Sequence, residues 1–345
     1  MKPPHPTAVA VLGAGSWGTT FAKIAADAGA SRGTDVRVWA RRPEAAEEIN
    51  STHRNTRYLG DIALPVNLRA SDDAAVVLAG AQLVVLAVPA QTLRAQLREF
   101  KDLVPENAVI LSLMKGLEIG TDARMSQVIS EELDVPEERI AVLSGPNLAM
   151  EIAREEPTAS VVACSDLATA GWIASACTAP YFRPYTNTDV VGTEIGGIVK
   201  NVIALAVGIC EGKQMGDNTK ASVMTRGLAE TTRLAVALGG KTETLFGLSG
   251  MGDLIATCSS SLSRNHTAGR LLAQGLSLDE VTATMQQTAE GIKSAQAVLD
   301  RALQLGVYMP ITENVVAVLQ GTISVDDLGP RLLARELKAE GVHAP

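Results

Sequence analysis

Residues 8–18, AVAVLGAGSWG, decide the fold of the N-terminal part of this 345-residue chain. The first five are apolar and predict a short buried β-strand, and residues 19–28 predict a helix. Between them Gly13, Gly15 and Gly18 form the pattern G-x-G-x-x-G. Its glycines permit a tight turn, close approach of a pyrophosphate and packing of helix on strand. In this strand–turn–helix setting the pattern predicts a dinucleotide-binding site; the alternative is a glycine-rich turn without a ligand.

The end of the second predicted strand, residues 36–40, indicates which dinucleotide is accepted. An acidic side chain at this point would bind the ribose 2′-hydroxyl of NAD. This chain has Arg41 and Arg42 instead, and guanidinium groups suit a 2′-phosphate. We therefore expect NADP to be accepted as well as NAD. The alternative is a solvated basic turn before a helix that begins at Pro43.

Segments typical of strands and helices alternate up to about residue 189. This alternation predicts an α/β Rossmann-type domain, in which helices cover a mostly parallel, doubly wound sheet. Further predicted strands are 66–68, 83–87, 108–112, 140–143 and 160–163, and further predicted helices are 72–79, 91–100, 123–131 and 168–177. Beyond residue 190 the pattern is helical only, at 191–211, 219–238, 266–274, 278–286, 291–305 and 311–320. We therefore predict a dinucleotide-binding domain over 1–189 and an all-α substrate and catalytic domain over 190–345.

Residues 195–210, IGGIVKNVIALAVGIC, carry only two polar side chains, Lys200 and Asn201. A helix that is apolar nearly all round is buried. Burial disfavours the charged form of a lysine, so a buried Lys/Asn pair indicates a proton donor beside a hydrogen-bonding partner. Lys200 is accordingly the predicted catalytic residue. The alternative is a lysine whose amine extends from a helix end into solvent.

Other candidate site residues stand at the ends of predicted strands or the beginnings of predicted helices. Lys115 follows the strand 108–112; the alternative is an ordinary lysine of a surface loop. Gly145 and Asn147 follow the strand 140–143, where a helix start offers backbone N–H groups. Glu290 precedes a helix, so it either reaches a cofactor hydroxyl or favours the helix N-terminus.

The predicted helical domain contains two further clusters of polar candidate residues. Asp253 and Thr257 are four residues apart and share one face of a helix, although Asp253 also stands where a helix N-cap is expected. Ser263 and Asn265 flank Arg264, and this combination suits a phosphate oxyanion.

Composition excludes several classes of partner. A net charge of −8 and 3% aromatic residues argue against nucleic acid. No signal-peptide pattern precedes the first strand, and no run reaches about 18 clean apolar residues, so stable membrane insertion is not expected. The four cysteines lack metal-binding spacing. We therefore expect reduced, buried thiols in a cytoplasmic protein without a metal site.

The motifs, in their order along the chain, resemble those of the NAD(P)-dependent glycerol-3-phosphate dehydrogenase family of bacteria. The resemblance extends from about Val9 to Gly321. It is carried by GAGSWGT at 13–19, N-x-x-Y-L at 55–59, KGL at 115–117, GP at 145–146, KN at 200–201, GDL-x-x-TC at 252–258, SRN at 263–265, AEG at 289–291 and MPITE at 309–313. One departure is Asn147-Leu148, where many bacterial members have Ser-Phe; an amide still donates a hydrogen bond.

The resemblance implies reversible hydride transfer between NAD(P)H and dihydroxyacetone phosphate, a triose phosphate. The product, sn-glycerol 3-phosphate, is a glycerophospholipid precursor, and such enzymes are often homodimers. Lys200 would be the acid/base residue. The expected substrate-binding residues are Lys115, Gly145, Asn147, Lys200, Asn201, Asp253, Thr257, Ser263, Arg264 and Asn265. The expected cofactor-binding residues are Gly13, Gly15, Ser16, Trp17, Gly18, Arg41, Arg42, Lys115, Ala149, Arg264 and Glu290.

Two other functions fit parts of the pattern. A β-hydroxyacid dehydrogenase has the same two-domain layout and Lys/Asn pair, but its substrates carry a carboxylate. A non-catalytic dinucleotide-sensing module would use the helical domain to bind a protein partner. Residues 324–345 match nothing assigned, and their charged, alanine-rich composition predicts partial disorder.

Overall fold

The computed structural model describes residues 5–285 and 289–333, which divide into two compact units. The first comprises the described residues up to Met114 together with Arg124–Val190. The second comprises Lys115–Ala123 and the described residues from Val191 onward. The sequence-based division at residue 189 assigned Lys115–Ala123 to the first domain. The segment belongs to the helical unit because its Leu117 is part of that unit's apolar core.

The first unit is built on one sheet, which has eight strands within the described residues. These are β1 (Ala8–Leu12), β2 (Asp35–Trp39), β3 (Leu68–Ser71), β4 (Leu83–Leu86), β5 (Val109–Ser112), β6 (Ile140–Ser144), β7 (Thr158–Cys164) and β8 (Phe182–Asn187). They lie in the order β3-β2-β1-β4-β5-β6-β7-β8. Neighbouring strands are parallel except β6 and β7. The mostly parallel sheet confirms the predicted fold class.

Helices follow most of these strands. They are α1 (Ser16–Gly29), α2 (Pro43–Thr52), α3 (Thr56–Leu59), α4 (Ala74–Leu78), α5 (Leu93–Phe100), α6 (Met125–Leu133), α7 (Ala149–Ala153) and α8 (Leu167–Ala176). Apolar side chains of β1 and β4 are buried on both faces of the sheet; Val9, Ala10 and Val84 are each 0% exposed. Burial on both faces explains why these strands read as continuous apolar runs.

Strand β8 was not predicted. Its sequence, FRPYTN, is largely polar and has Pro184 in its middle, a pattern that normally argues against a strand. β8 pairs only with β7 and lies at an edge of the sheet. A proline is tolerated at an edge because its missing N–H removes no hydrogen bond from a second neighbour.

The second unit is helical in its described part. Its helices are α9 (Val190–Gly212), α10 (Asp217–Ala237), α11 (Thr242–Leu245), α12 (Asp253–Ser259), α13 (Arg264–Ala273), α14 (Leu278–Thr284), α15 (Glu290–Gln304), α16 (Pro310–Leu319) and α17 (Val325–Leu333). Helix α17 occupies part of the tail predicted to be partly disordered. Residues 334–345 of that tail lie outside the described residues.

Helix α9 is the central helix of the second unit's core. By length and mean hydropathy it could cross a membrane, and among the described helices it is the one that meets this criterion. Its apolar run is interrupted by Lys200 and Asn201. However, 89% of its apolar window is buried inside the protein. Its apolar character is therefore explained by burial under the surrounding helices.

The edge strand β3 is blocked by a side chain. Asn50 of α2 donates from Nδ2 to the carbonyl oxygen of Ala70 (2.8 Å) and accepts at Oδ1 from the N–H of Ala70 (2.8 Å). The amide thus satisfies both outward-facing groups of this residue, as a further strand would. Exposed strand edges promote pairing with other chains, and natural proteins protect them in such ways.

Replacing Asn50 by Ala leaves both backbone groups of Ala70 without their partner. We expect a loss of about 1–3 kcal/mol in stability together with increased self-association on heating, measured by thermal unfolding and light scattering. Asn67→Ala is the matched control, because Asn67 also bonds to a backbone carbonyl, that of Ala26 in α1 (3.0 Å). Equal self-association of the two variants would contradict the blocking role.

Candidate functional site

The glycine-rich turn between β1 and α1 requires its first and third glycines. Gly13 has φ +119°, and a Cβ there would lie 2.5 Å from the carbonyl oxygen of Ala87. A Cβ on Gly18 would collide with the carbonyl of Gly13. Gly15 instead faces open space, with no atom within 4 Å of an added Cβ. The turn therefore packs tightly on the sheet and leaves room for a ligand beside Gly15.

The start of helix α1 is suited to an anion. The helix begins at Ser16 with no acidic residue in its first turn, so its N-terminal N–H groups favour a phosphate. The indole N–H of Trp17 is buried and has no hydrogen-bond partner in the described structure. Sequence reasoning missed Asn55, which is 1% exposed and donates to the carbonyl of Ala14 (3.0 Å) and to Thr19 Oγ1 (2.9 Å). The only sequence feature that pointed to Asn55 was the N-x-x-Y-L motif at 55–59, which is part of the family resemblance.

Two other loops of the first unit carry predicted site residues. Arg41 and Arg42 are exposed between β2 and α2, a position compatible both with phosphate binding and with a solvated turn. Gly145 has φ +143°, and a Cβ there would lie 3.1 Å from Ser160 Cα; its close packing on β7 explains the glycine. Ala149 begins α7, and its carbonyl accepts from Thr20 Oγ1 (3.3 Å).

Asn147 stands between Gly145 and α7. Both polar atoms of its side chain are buried without a hydrogen-bond partner in the described ranges. Leaving a buried amide unpaired costs free energy. Asn147 is therefore suited to a ligand that offers both a donor and an acceptor.

The second unit places four predicted residues in one cluster. Lys200 Nζ donates to Asp253 Oδ1 (2.6 Å) and to Thr257 Oγ1 (2.6 Å). Lys115 Nζ donates to Asp253 Oδ2 (2.6 Å). Lys200 is 8% exposed and Asp253 1%, so the cluster is largely dry. The alternative of a lysine extending into solvent is wrong.

The alternative interpretation, in which Asp253 is the N-cap of a helix, is wrong. Gly252 occupies the N-cap position of α12, and Asp253 is its first residue. A π-helical turn, Leu248–Gly252, precedes it. Both oxygens of Asp253 contact lysine amines, so the carboxylate is committed to the cluster.

Two ammonium groups share this single carboxylate. Burial is the largest effect on Lys115 and lowers its pKa from 10.5 to about 8; Asp253 opposes the shift, and the charge of Lys200 adds to it. With all three groups ionised, the cluster carries one net positive charge. It therefore attracts an anion locally, although the chain as a whole is acidic.

The remaining predicted residues lie at the starts of α13 and α15. Ser263 is the N-cap of α13 and accepts from the N–H of His266 (3.3 Å). Arg264 is the first residue of that helix and is exposed. Asn265 contacts Asn201, with Nδ2 of Asn265 donating to Oδ1 of Asn201 (2.9 Å). Glu290 begins α15 with one buried, unpartnered oxygen; burial raises its pKa, and Arg264 partly offsets the shift.

A Rossmann-type sheet with a glycine-rich turn, together with a helical unit that carries a buried lysine–carboxylate cluster, defines a nicotinamide-dependent dehydrogenase. Comparison with known proteins identifies the family. The family model described as NAD-dependent glycerol-3-phosphate dehydrogenase N-terminus matches residues 8–170, and the corresponding C-terminus model matches residues 189–329. The chain belongs to the NAD-dependent glycerol-3-phosphate dehydrogenase family.

Individual relatives agree with this assignment. Glycerol-3-phosphate dehydrogenase [NAD(P)+] of Thermobifida fusca is 54% identical, with 97% of this chain and 98% of the relative covered. The same-named protein of Corynebacterium jeikeium is 55% identical, with 96% and 99% covered. The crystal structure of glycerol-3-phosphate dehydrogenase from Coxiella burnetii has a TM-score of 0.89 at 34% identity, covering 96% of this chain and all of that one. Family membership decides against both alternative functions left open by the sequence.

The contact of Lys115 with Asp253 allows a prediction of the pH at which Lys115 titrates. In NMR spectra of protein with ¹³C-labelled lysine side chains, the signal absent from a Lys115→Arg variant should titrate near pH 8. Because Asp253 raises the pKa of Lys115, Asp253→Asn should move the midpoint to lower pH. A midpoint that stays constant or rises in Asp253→Asn would show that the carboxylate does not stabilise this ammonium.

Proposed function

We propose that this protein catalyses the reversible reduction of dihydroxyacetone phosphate to sn-glycerol 3-phosphate with NADPH or NADH. The observation that carries the proposal is the buried contact of Lys200 with Asp253 and Thr257 in the second unit. The [NAD(P)+] names of the relatives support both cofactors. The product would supply glycerophospholipid synthesis.

We propose that Lys200 donates the proton that this reaction requires. When bound, a nicotinamide cofactor would supply the hydride that reduces the carbonyl carbon, and the carbonyl oxygen would then need a proton. An ammonium group has three N–H donors. Asp253 and Thr257 take two of them, which leaves one for the substrate oxygen. Proton transfer gives the alcohol and a neutral amine, and the reverse reaction returns the proton to that amine.

Lys115 and Asp253 have supporting roles in the same site. The ammonium of Lys115 stabilises negative charge that develops on the substrate oxygen or on the phosphate. Asp253 holds both amines through separate oxygens, 2.6 Å from each Nζ. The carboxylate thereby orients the proton donor and prevents the two cations from separating.

The start of helix α13 supports phosphate binding. Arg264 is exposed at the first position of this ten-residue helix, where backbone N–H groups favour anions. The Oγ of Ser263 accepts a bond from His266 N, so its hydroxyl proton remains available to a phosphate oxygen. A carboxylate substrate of a β-hydroxyacid dehydrogenase would need fewer of these donors.

For the cofactor, we propose that the turn at 13–18 binds the pyrophosphate and that Arg41 and Arg42 bind the 2′-phosphate of NADP. Asn147 and Glu290 each offer buried polar atoms without a partner in the described ranges, which supports ligand contacts for both. These are the amide group of Asn147 and one carboxylate oxygen of Glu290.

We further propose a cytoplasmic homodimer. Buried free thiols at all four cysteines support a reducing compartment. Large apolar side chains are half-exposed on the second unit, at Phe246 (49%), Ile255 (51%) and Leu262 (47%), which supports contact with a second copy.

Lys200→Met tests the central role. We expect kcat for dihydroxyacetone phosphate reduction, followed by absorbance at 340 nm, to fall by about 10²–10⁴-fold with unchanged NADPH affinity. Lys220→Met is the control: Lys220 pairs with Asp217 on α10 and lies outside the cluster. Retained activity in Lys200→Met would refute the assignment. Turnover of 3-hydroxy acids but not of the triose phosphate by the unaltered protein would refute the function.

The arginine pair predicts cofactor choice. Replacing Arg41 and Arg42 together by Ala should lower kcat/KM for NADPH while that for NADH changes little, because NADH lacks the 2′-phosphate. Steady-state kinetics with both cofactors measure this. An equal loss with both, or a large NADH preference of the unaltered enzyme, would contradict phosphate recognition by this turn.

A further inference from the structure

We infer that Asn201, Asn265 and Gly291 are positioning residues, which hold the Lys115 loop in place through a hydrogen-bond chain of fixed direction. The inference rests on the proposed function, because it concerns how the second unit orients Lys115. The chain joins four segments: the loop at Lys115, helix α9, helix α13 and the start of α15. All four belong to the second unit.

The two ends of the chain dictate its direction. Asn201 Nδ2 lies 3.3 Å from the carbonyl oxygen of Gly197 and 3.5 Å from that of Lys115. Carbonyls only accept, so the NH₂ group of Asn201 must face them. At the other end, the N–H of Gly291 only donates, and it bonds to Asn265 Oδ1 (2.9 Å). The link between them, Asn265 Nδ2 to Asn201 Oδ1 at 2.9 Å, is then the only satisfying orientation of both amides.

This arrangement separates the roles of the two asparagines. The NH₂ group of Asn201 faces two carbonyls, and its oxygen accepts from Asn265, so both polar atoms of the side chain have partners within the protein. We therefore assign Asn201 a positioning role, and its substrate contact stays a prediction. Asn265 keeps one N–H beyond this chain, and because its oxygen is held by Gly291, that N–H has a defined direction.

Gly291 is needed where it stands. A Cβ at this position would lie 2.6 Å from the backbone oxygen of Asn201 and 2.8 Å from Asn265 Oδ1. Real Cβ atoms do not approach backbone oxygens so closely, so a side chain must push the start of α15 away. The N–H of Gly291 would then lose Asn265, whose amide would be free to rotate and release Asn201.

Lys115 is the residue that the chain positions. Its backbone carbonyl receives the end of the chain, and its Nζ bonds to Asp253 at 2.6 Å. These two attachments fix the amine relative to Lys200. Loss of the first allows the Lys115 backbone to shift, and displacement of a catalytic group by about 1 Å costs about 10²-fold in rate.

A double-mutant cycle of Gly291→Ala and Asn201→Ala tests this inference. Each single variant should lower kcat/KM for dihydroxyacetone phosphate by about 10²-fold, with KM for NADPH unchanged. The kcat/KM of the double variant should be no lower than that of the less active single variant, because both changes break the same hydrogen-bond chain. In ¹³C-lysine spectra, both single variants should shift the Lys115 titration midpoint away from its value in the unaltered protein.

Gly216→Ala is the matched control. Gly216 is the N-cap of α10, and an added Cβ there meets no atom within 4 Å, so activity and the Lys115 titration should be unchanged. The inference would be overturned if the losses in kcat/KM of the two single variants multiply in the double variant. It would also be overturned if the titration midpoint of Lys115 is the same in the single variants as in the unaltered protein. If the unaltered protein does not reduce dihydroxyacetone phosphate, the proposed function fails, and the Lys115 midpoint still decides whether the chain positions this amine.

Discussion

The candidate site of the helical unit depends on the two ion pairs that the carboxylate of Asp253 forms. It is 1% exposed and contacts the amines of Lys115 and Lys200, each at 2.6 Å. Two ammonium groups this close repel each other, and burial destabilises both. One carboxylate between them offsets part of that cost and fixes where each amine points. Removal of Asp253 alone would leave two uncompensated cations in a dry site, which is strongly destabilising.

The proposed function requires an acidic protein to bind an anionic substrate. The chain carries a net charge of −8, which repels a phosphate ester at long range. Exposed charges are screened within about 10 Å at moderate salt, whereas the buried cluster is screened much less. In the proposed function, the local excess of positive charge at Lys115, Lys200 and Arg264 attracts the substrate, so this attraction depends on one region of the second unit.

Sequence patterns predicted most of the fold and named all four residues of the cluster around Asp253, and the exceptions have physical reasons. The apolar period and glycine spacing indicated β1, α1 and α9 because local sequence determines such elements. Strand β8 was missed because its proline is acceptable only at an edge, which is a property of the finished sheet. The direction of the hydrogen-bond chain through Asn201 depends on partners that lie 64 and 86 residues away in the sequence. Such long-range contacts leave no periodic signal in the sequence.

The burial of α9 has a consequence for the synthesis of the protein. This helix has the composition of a membrane span, yet apart from Leu117 the core residues packed with it come later in the chain, from Val223 to Leu328. A nascent chain therefore releases α9 from the ribosome before the helices that cover it, which begin with α10 at Asp217 and end with α17. Until those helices are synthesised, its apolar surface remains available to chaperones or to aggregation. The apolar core of the helical unit is therefore complete only after Leu328 has been synthesised.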